Sequence, residues 1–289
     1  MTATEVDRAL LEAWPLPDPG EHKNARGVVG IAGGSRTTPG AARLAAEAAF
    51  RVGAGKVRIA TGTTCAPALA VSLPEAAVAG FPEGASGDLS ATASREVAEF
   101  LGRSDVVLLG SGLVDPSEAA QLVARLVDEL DAAVVIDGVG TAYVNDHRSD
   151  LHRRDTRGVL TMNPNELAHI VSTSAQQAAE ESEQLSADLA RETGCVVVCG
   201  GRQKVVATPE GGRYVVRGGG PGLAVSGSGD VLAGLVSGLY ARCEEPSQAA
   251  VWAAWLHARA GDELARTVGE VGFLARELPR ETLRLLASF

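Results

Sequence analysis

Residues 218 to 239, Gly-Gly-Gly-Pro-Gly-Leu-Ala-Val-Ser-Gly-Ser-Gly-Asp-Val-Leu-Ala-Gly-Leu-Val-Ser-Gly-Leu, decide how the rest of this 289-residue chain is read. The first half is too rich in glycine to form an element. From Asp230 onward, Val231, Leu232, Leu235, Val236 and Leu239 recur at helical spacing, so a flexible loop runs into a helix start. Free N–H groups of a first helical turn, with those of Ser226 to Gly229, converge on an anion, and the helix dipole favours negative charge there. Glycine at 227 and 229 keeps side chains out of the way of a phosphate. Asp230 has a bland reading, as a helix cap. Its sharper reading is a base that takes a proton from a hydroxyl attacking the bound phosphate. A carboxylate beside an anion site is repelled by the ligand unless it has such a task. Gly234 and Gly238 weaken a helix and are explained by close backbone packing against a neighbour.

Working outward, 45% of the residues are hydrophobic and 21% charged, as in a globular chain able to bury a large core. One α/β domain over residues 1–289, with 1–20 as an N-terminal helix and lead-in, accommodates the pattern. The net charge of −10 and pI near 5.1 argue against a nucleic-acid or acidic-membrane partner. Arg153, Arg154 and Arg157 read as a solvated loop. Thr2 to Trp14 is polar and acidic, unlike a signal peptide, and no apolar run reaches spanning length. Cys65, Cys195, Cys199 and Cys243 lack metal-type spacing and read as core residues in a reducing compartment, hence a cytoplasmic protein.

Strand, glycine turn and helix alternate along the chain. Gly27 to Ala32 reads as a buried strand ending in Gly33-Gly34-Ser35, Ala41 to Phe50 as an alanine-rich helix, and Lys56 to Ala60 as a second strand. Together they make a βαβ unit and imply a parallel sheet. An irregular region holds Ser72 to Glu75. Thr92 to Leu101 and Pro116 to Leu130 follow as helices, with strands at Val106 to Leu109 and Ala133 to Ile136. Gly110, Gly112 and Asp137 lie just past strand ends, where parallel sheets bind ligands, although Asp137 before Gly138 fits a turn equally well. Gly158 to Thr161 is a strand, followed by a helix through Val171. Gln176 to Thr193 reads as one polar helix, Cys195 to Cys199 as a buried strand, and Lys204 to Ala207 with Arg213 to Val216 as a hairpin. In the Gln248 to Leu264 helix, Trp252 and Trp255 read as core, and His257 as a satisfied helix histidine.

In combination these motifs resemble the ribokinase-like superfamily, within it the ADP- or ATP-dependent NAD(P)H-hydrate dehydratases, also called carbohydrate-kinase-like proteins. The resemblance runs from His22 to about Pro279. It is carried by Gly33-Gly34-Ser35 through Pro39-Gly40-Ala41-Ala42, Arg51-Val52-Gly53-Ala54-Gly55, Leu73-Pro74-Glu75, and Gly220-Pro221-Gly222-Leu223-Ala224 through Gly227-Ser228-Gly229-Asp230-Val231-Leu232-Ala233-Gly234. It implies a mostly parallel sheet flanked by helices on both faces, and a hydro-lyase that repairs hydrated NADH and NADPH (NADHX and NADPHX). A phosphoryl group from ADP or ATP goes to the ring hydroxyl, and phosphate, a better leaving group than hydroxide, is then eliminated. By position, Asp230 is implied as the base and Gly227, Ser228 and Gly229 as the anion hole. Ala41, Ala42, Gly112 and Asn163 are implied at the hydrate. Gly200, Gly201, Arg202, Gln203 and Lys204 are implied along the nucleotide, with Mg²⁺ on its phosphates and Glu166 reaching that ion indirectly.

Three positions depart from the family's usual pattern. Asn163-Pro164-Asn165-Glu166 stands where His-Pro-Gly-Glu is usual, Gly200-Gly201 where Lys-Gly is usual, and Asp137-Gly138-Val139 where Asp-Ala-Asp is usual. Asn163 and Glu166 fit the Asn-x-x-Glu pattern of small-molecule kinases in the superfamily, so a kinase whose product keeps the phosphate is a second reading. A nucleotide-binding relic is a third. Bifunctional relatives carry an epimerase module, for which 289 residues leave no room, so an epimerase is expected as a separate protein. Alanine- and glycine-rich helix faces leave room for self-association.

Overall fold

Short apolar runs such as Val106–Leu109 and Val196–Cys199 carry no polar residue in alternation, which is the pattern of strands covered on both faces. In the computed structural model, which describes residues 3–153 and 158–289, they form the centre of a ten-stranded sheet. In chain order the strands are β1 (Thr4–Glu5), β2 (Val28–Ala32), β3 (Lys56–Gly62), β4 (Ala77–Phe81), β5 (Val106–Leu109), β6 (Ala133–Asp137), β7 (Val159–Met162), β8 (Val196–Cys199), β9 (Lys204–Ala207) and β10 (Arg213–Val216). Their order across the sheet is β1-β10-β9-β8-β7-β6-β5-β2-β3-β4. Every pairing is parallel except the two made by β9 with β8 and β10. The expected βαβ unit and hairpin are therefore both present.

The two-residue period of the strands separates two cores. Val106, Leu108, Val196 and Val198 join a cluster with Ala45, Ala49, Leu235 and Trp252. Val107, Leu109, Val197 and Cys199 join Leu122, Leu126 and Leu189 on the other side. Cys195 also lies in the second cluster, as the spacing to Cys199 implies.

The first core is built on the packing of the Gly40–Arg51 and Ser228–Cys243 helices. A Cβ on Gly234 would lie 2.2 Å from the Ala45 carbonyl oxygen, and one on Gly238 would lie 2.7 Å from Ala49 Cα. Both contacts step by four residues along both helices. Carried back one turn, the same step sets Asp230 level with Ala41. Ala45, Ala46, Ala48 and Ala49 are fully buried, so the small-residue faces that left room for self-association are used inside the chain.

Some elements differ from the sequence reading. The polar helix expected over 176–193 is two, Ala175–Glu180 and Ser182–Thr193, because Glu181 leaves helical geometry at φ −106° and ψ 20°. β1, β4 and the Ala66–Ser72 and Leu278–Leu286 helices were not anticipated. β1 has two residues and its register comes from distant β10, while β4 is a partly exposed edge. The basic-loop reading of Arg154 and Arg157 lies outside the described residues, and Arg153 closes the Val144–Arg153 helix.

Candidate active site

The organising helix begins at Ser228, two residues earlier than its apolar period indicates, after Gly227 turns the chain at φ +91°. Ser228 N–H donates to Val225 O (3.1 Å) and Val231 N–H to Gly227 O (3.1 Å). That leaves the first-turn amides of Gly229 and Asp230 for a ligand. A Cβ on Gly229 would meet nothing within 4 Å, so the space beside the backbone is open. No side chain caps this helix, which removes the bland reading of Asp230. Its carboxylate instead lines a cavity of about 980 Å³ beyond the C-terminal ends of the central strands.

Two more carboxylates line that cavity. Asp137, at the end of β6, is buried and accepts hydrogen bonds from Ser111 Oγ (2.7 Å) and Thr161 Oγ1 (2.7 Å). Its side chain therefore faces the cavity. Glu166 belongs to the first turn of the Pro164–Val171 helix, where it accepts from Asn163 N–H (2.8 Å). Asn163 Oδ1 in turn accepts from the N–H groups of Asn165 (2.8 Å) and Glu166 (3.1 Å). Asn163 and Glu166 thus form a capping box, which gives the Asn-x-x-Glu spacing a structural meaning.

Burial pushes the Asp230 carboxyl up to about 7, with the charge of Asp137 next in importance and that of Glu166 adding to it. Glu166 is raised to about 7, by burial and then by Asp137. Asp137 is raised by burial against the opposing effect of its Ser111 and Thr161 hydrogen bonds. Three carboxyls sharing one cavity titrate together, and each added negative charge raises the others.

The cavity roof is the glycine run at 218–220, with φ of +111°, +91° and +57°, a path side chains rarely allow. Gly219 N–H donates to Asp262 Oδ1 (2.6 Å), and Arg259 donates to Asp262 Oδ2 (2.8 Å), which fixes the arch to the Pro246–Thr267 helix. Lys204 and His257 line the wall beneath it and are both almost fully buried. His257 Nε2 lies 2.9 Å from Ser228 O, an acceptor, so this nitrogen carries the proton. Burial, and then the Lys204 charge, holds the imidazole well below its ordinary pKa and therefore neutral.

The sequence-chosen residues divide into two groups. Asp230, Ser228, Gly229, Asn163, Glu166, Gly200, Gly201, Arg202 and Lys204 line the one cavity. Gly227 lies just behind it as the helix N-cap. Gln203 is turned aside and donates to Glu183 Oε1 (3.2 Å), so its side chain is not with the others. Ala41, Ala42 and Gly112 sit at a neighbouring corner, where Thr38 Oγ1 donates to Gly112 O (2.7 Å) and Gly34 N–H to Ser111 O (2.8 Å). Ala42 is fully buried in the core, so its side chain does not line a pocket, and only Ala41 and Gly112 remain half-exposed there. Ser111 joins corner and cavity, since it bonds Asp137 and also acts on Asp230. Ser111, Thr161, Asp262 and the inward-facing His257 were missed. Only Ser111, between Gly110 and Gly112 after a strand, carried a signal in the sequence.

A family profile described as NAD(P)H-hydrate dehydratase matches residues 29–284. The chain belongs to the NAD(P)H-hydrate dehydratase family. It is 39% identical over 281 residues to the ADP-dependent (S)-NAD(P)H-hydrate dehydratase of Xanthomonas campestris pv. campestris, covering 97% of this chain and 95% of that protein. It is 34% identical to the bifunctional NAD(P)H-hydrate repair enzyme of Moorella thermoacetica, of which it spans 52%. Among solved structures, the ADP/ATP-dependent NAD(P)H-hydrate dehydratase of Bacillus subtilis co-crystallised with ATP/Mg²⁺ superimposes with a TM-score of 0.81 at 23% identity, covering 100% of this chain and 99% of that one. A ribokinase-like superfamily protein from Enterococcus faecalis gives 0.82 at 23% identity, covering 99% and 96%. These likenesses show the ribokinase-like fold within the dehydratase family.

Proposed function

We propose that this member of the family is an ADP- or ATP-dependent (S)-NAD(P)H-hydrate dehydratase, a hydro-lyase that repairs nicotinamide cofactors. The observation that carries the reading is Asp230, uncapped and facing a cavity beside two first-turn amides and the open space at Gly229. The names of the Xanthomonas and Neisseria meningitidis relatives support ADP as the donor.

In this account the hydrate occupies the side of the cavity near Ala41, Gly112 and Ser111, with its ring hydroxyl toward Asp230. The nucleotide runs from Gly200–Arg202 under the arch at 218–220, its terminal phosphate at Gly229. Asp230 takes the hydroxyl proton as the oxygen bonds the terminal phosphorus and the bond to the bridging oxygen breaks. ADP thus leaves as AMP, or ATP as ADP. The ring C–O bond then breaks with phosphate as leaving group, and loss of a ring proton restores the double bond. The amides of Gly229 and Asp230 hold the phosphoryl oxygens as charge shifts onto them. A base with a pKa near 7 is well matched to this proton transfer at neutral pH.

The carboxylates fit a divalent cation, since Asp137 raises Glu166 and both raise Asp230, a repulsion that a cation relieves. When bound, Mg²⁺ would neutralise phosphate charge, with Asp137 and Glu166 holding its waters. We further propose a cytoplasmic location, in keeping with the four free cysteines. We propose too that an epimerase activity supplies the reactive epimer, in keeping with the bifunctional repair enzymes among the relatives.

The test is stoichiometric. Each NADH recovered from hydrated NADH should release one inorganic phosphate and consume one nucleotide. A phosphorylated nicotinamide that accumulates instead would replace the dehydratase by the kinase.

A further inference from the structure

The glycines at 227 and 229 that open the loop to a phosphate also leave it few side chains with which to fix its own position. No side chain caps the helix that follows. Among the described residues, the one side-chain hydrogen bond from another element to the backbone of residues 226–230 comes from His257, whose Nε2–H is shared between Ser228 O (2.9 Å) and Ser228 Oγ (3.1 Å). His257 belongs to the Pro246–Thr267 helix and is 3% exposed. One turn on, Gly261 lets the same helix meet the arch, since a Cβ there would lie 2.9 Å from Gly219 O, and Asp262 accepts from Gly219 N–H (2.6 Å). A single helix thus ties down both the arch and the start of the organising helix.

An imidazole is a costly side chain to keep in that place. Its Nδ1 is buried without a partner, and an acceptor left unsatisfied away from water weakens a fold that an aliphatic side chain of similar size would not. Nor is the ring placed to move a proton, because Nε2 gives its hydrogen to a carbonyl and Nδ1 meets no polar group. What the residue supplies is one N–H at one point. We propose that His257 is a positioning residue for phosphoryl transfer: its bond to Ser228 O holds the first turn of the organising helix where the Gly229 and Asp230 amides meet the transferring phosphate and the Asp230 carboxylate meets the hydroxyl. This rests on the nucleotide-dependent reading above and adds to it the group that fixes the reacting turn against the scaffold. Displacing that turn by roughly 1 Å is enough to slow transfer by on the order of 10²-fold.

The experiment compares His257→Leu, His257→Asn and His257→Gln with wild type, by calorimetric titration of the whole protein with ADP and with AMP and by steady-state repair of hydrated NADH. Glutamine carries an amide N–H close to the Nε2 position, whereas asparagine is too short to reach Ser228 and leucine has no donor. The Leu and Asn variants should bind ADP about 10-fold more weakly and AMP within about twofold of wild type, since AMP lacks the phosphate held at Gly229. Their kcat should fall by about 10- to 100-fold with the KM for the hydrate little changed, and Gln should recover most of both losses. Either of the two loss variants suffices if the other does not fold. Equal weakening for ADP and AMP, wild-type ADP binding and kcat in a loss variant, or a Gln variant no better than the loss variants would each overturn the inference. An ADP-selective loss that Gln restores, in a protein that fails to repair hydrated NADH, would uphold it while removing the dehydratase reading.

Discussion

Gly229 and Gly234 are five residues apart on one helix, and alanine at each should fail in opposite ways. At Gly234 the new Cβ would lie 2.2 Å from Ala45 O and 2.7 Å from Ala45 C and Cα. These are backbone atoms of a buried helix, so the two helices must separate by roughly 1 Å, against an overpacking cost of about 1–3 kcal/mol. Better helix propensity returns up to about 1 kcal/mol. The net expectation is a loss of about 1–2 kcal/mol, read as a lower denaturant midpoint with an unchanged slope. At Gly229 the same methyl meets nothing, so the gain in propensity stands alone and the protein should be as stable as wild type. The methyl would, however, stand in the space assigned to the transferring phosphate, and ADP affinity should fall at least about 10-fold. Urea unfolding and ADP titration on both variants give four numbers. An unaffected midpoint for Gly234→Ala refutes the close-packing argument, and unaltered ADP binding by Gly229→Ala refutes the phosphate cradle.

Other expectations follow from the same geometry. Asp230 must be deprotonated to act, so kcat/KM should rise with pH through a limb near 7, and activity should be lost below it. Asp137→Asn removes the largest like charge acting on Asp230, so that limb should move to lower pH; a limb that stays in place would show the two do not interact. Burial pushes the Cys195 and Cys199 thiols up to about 12, so alkylating reagents at pH 8 should leave both unmodified until the chain unfolds, as peptide mapping would show.

Much of the fold was legible because its signals are local. Val106–Leu109 announces a doubly covered strand by composition alone, and Gly234 and Gly238 announce close helix packing by their cost. What escaped is set at a distance. β1 is a strand only because Val215 lies beside it, and Glu181 interrupts a polar segment whose sequence has no breaker. The site divides likewise. Glycines around Asp230 declare an anion loop in sequence, but His257 faces Ser228 across 29 positions and Asp262 holds Gly219 across 43. Nor does the sequence tell that, of Arg202 and Lys204, the first is exposed and the second buried in the cavity wall.

The central claim is that Asp230 takes the hydroxyl proton, and the most direct measurement is recovery of reduced-nicotinamide absorbance from hydrated NADH with ADP and Mg²⁺, comparing wild type with Asp230→Asn. Wild type should restore the absorbance, and the variant should be slower by on the order of 10² to 10⁴ while binding ADP nearly as well. An Asn variant that repairs the hydrate at the wild-type rate would contradict the account.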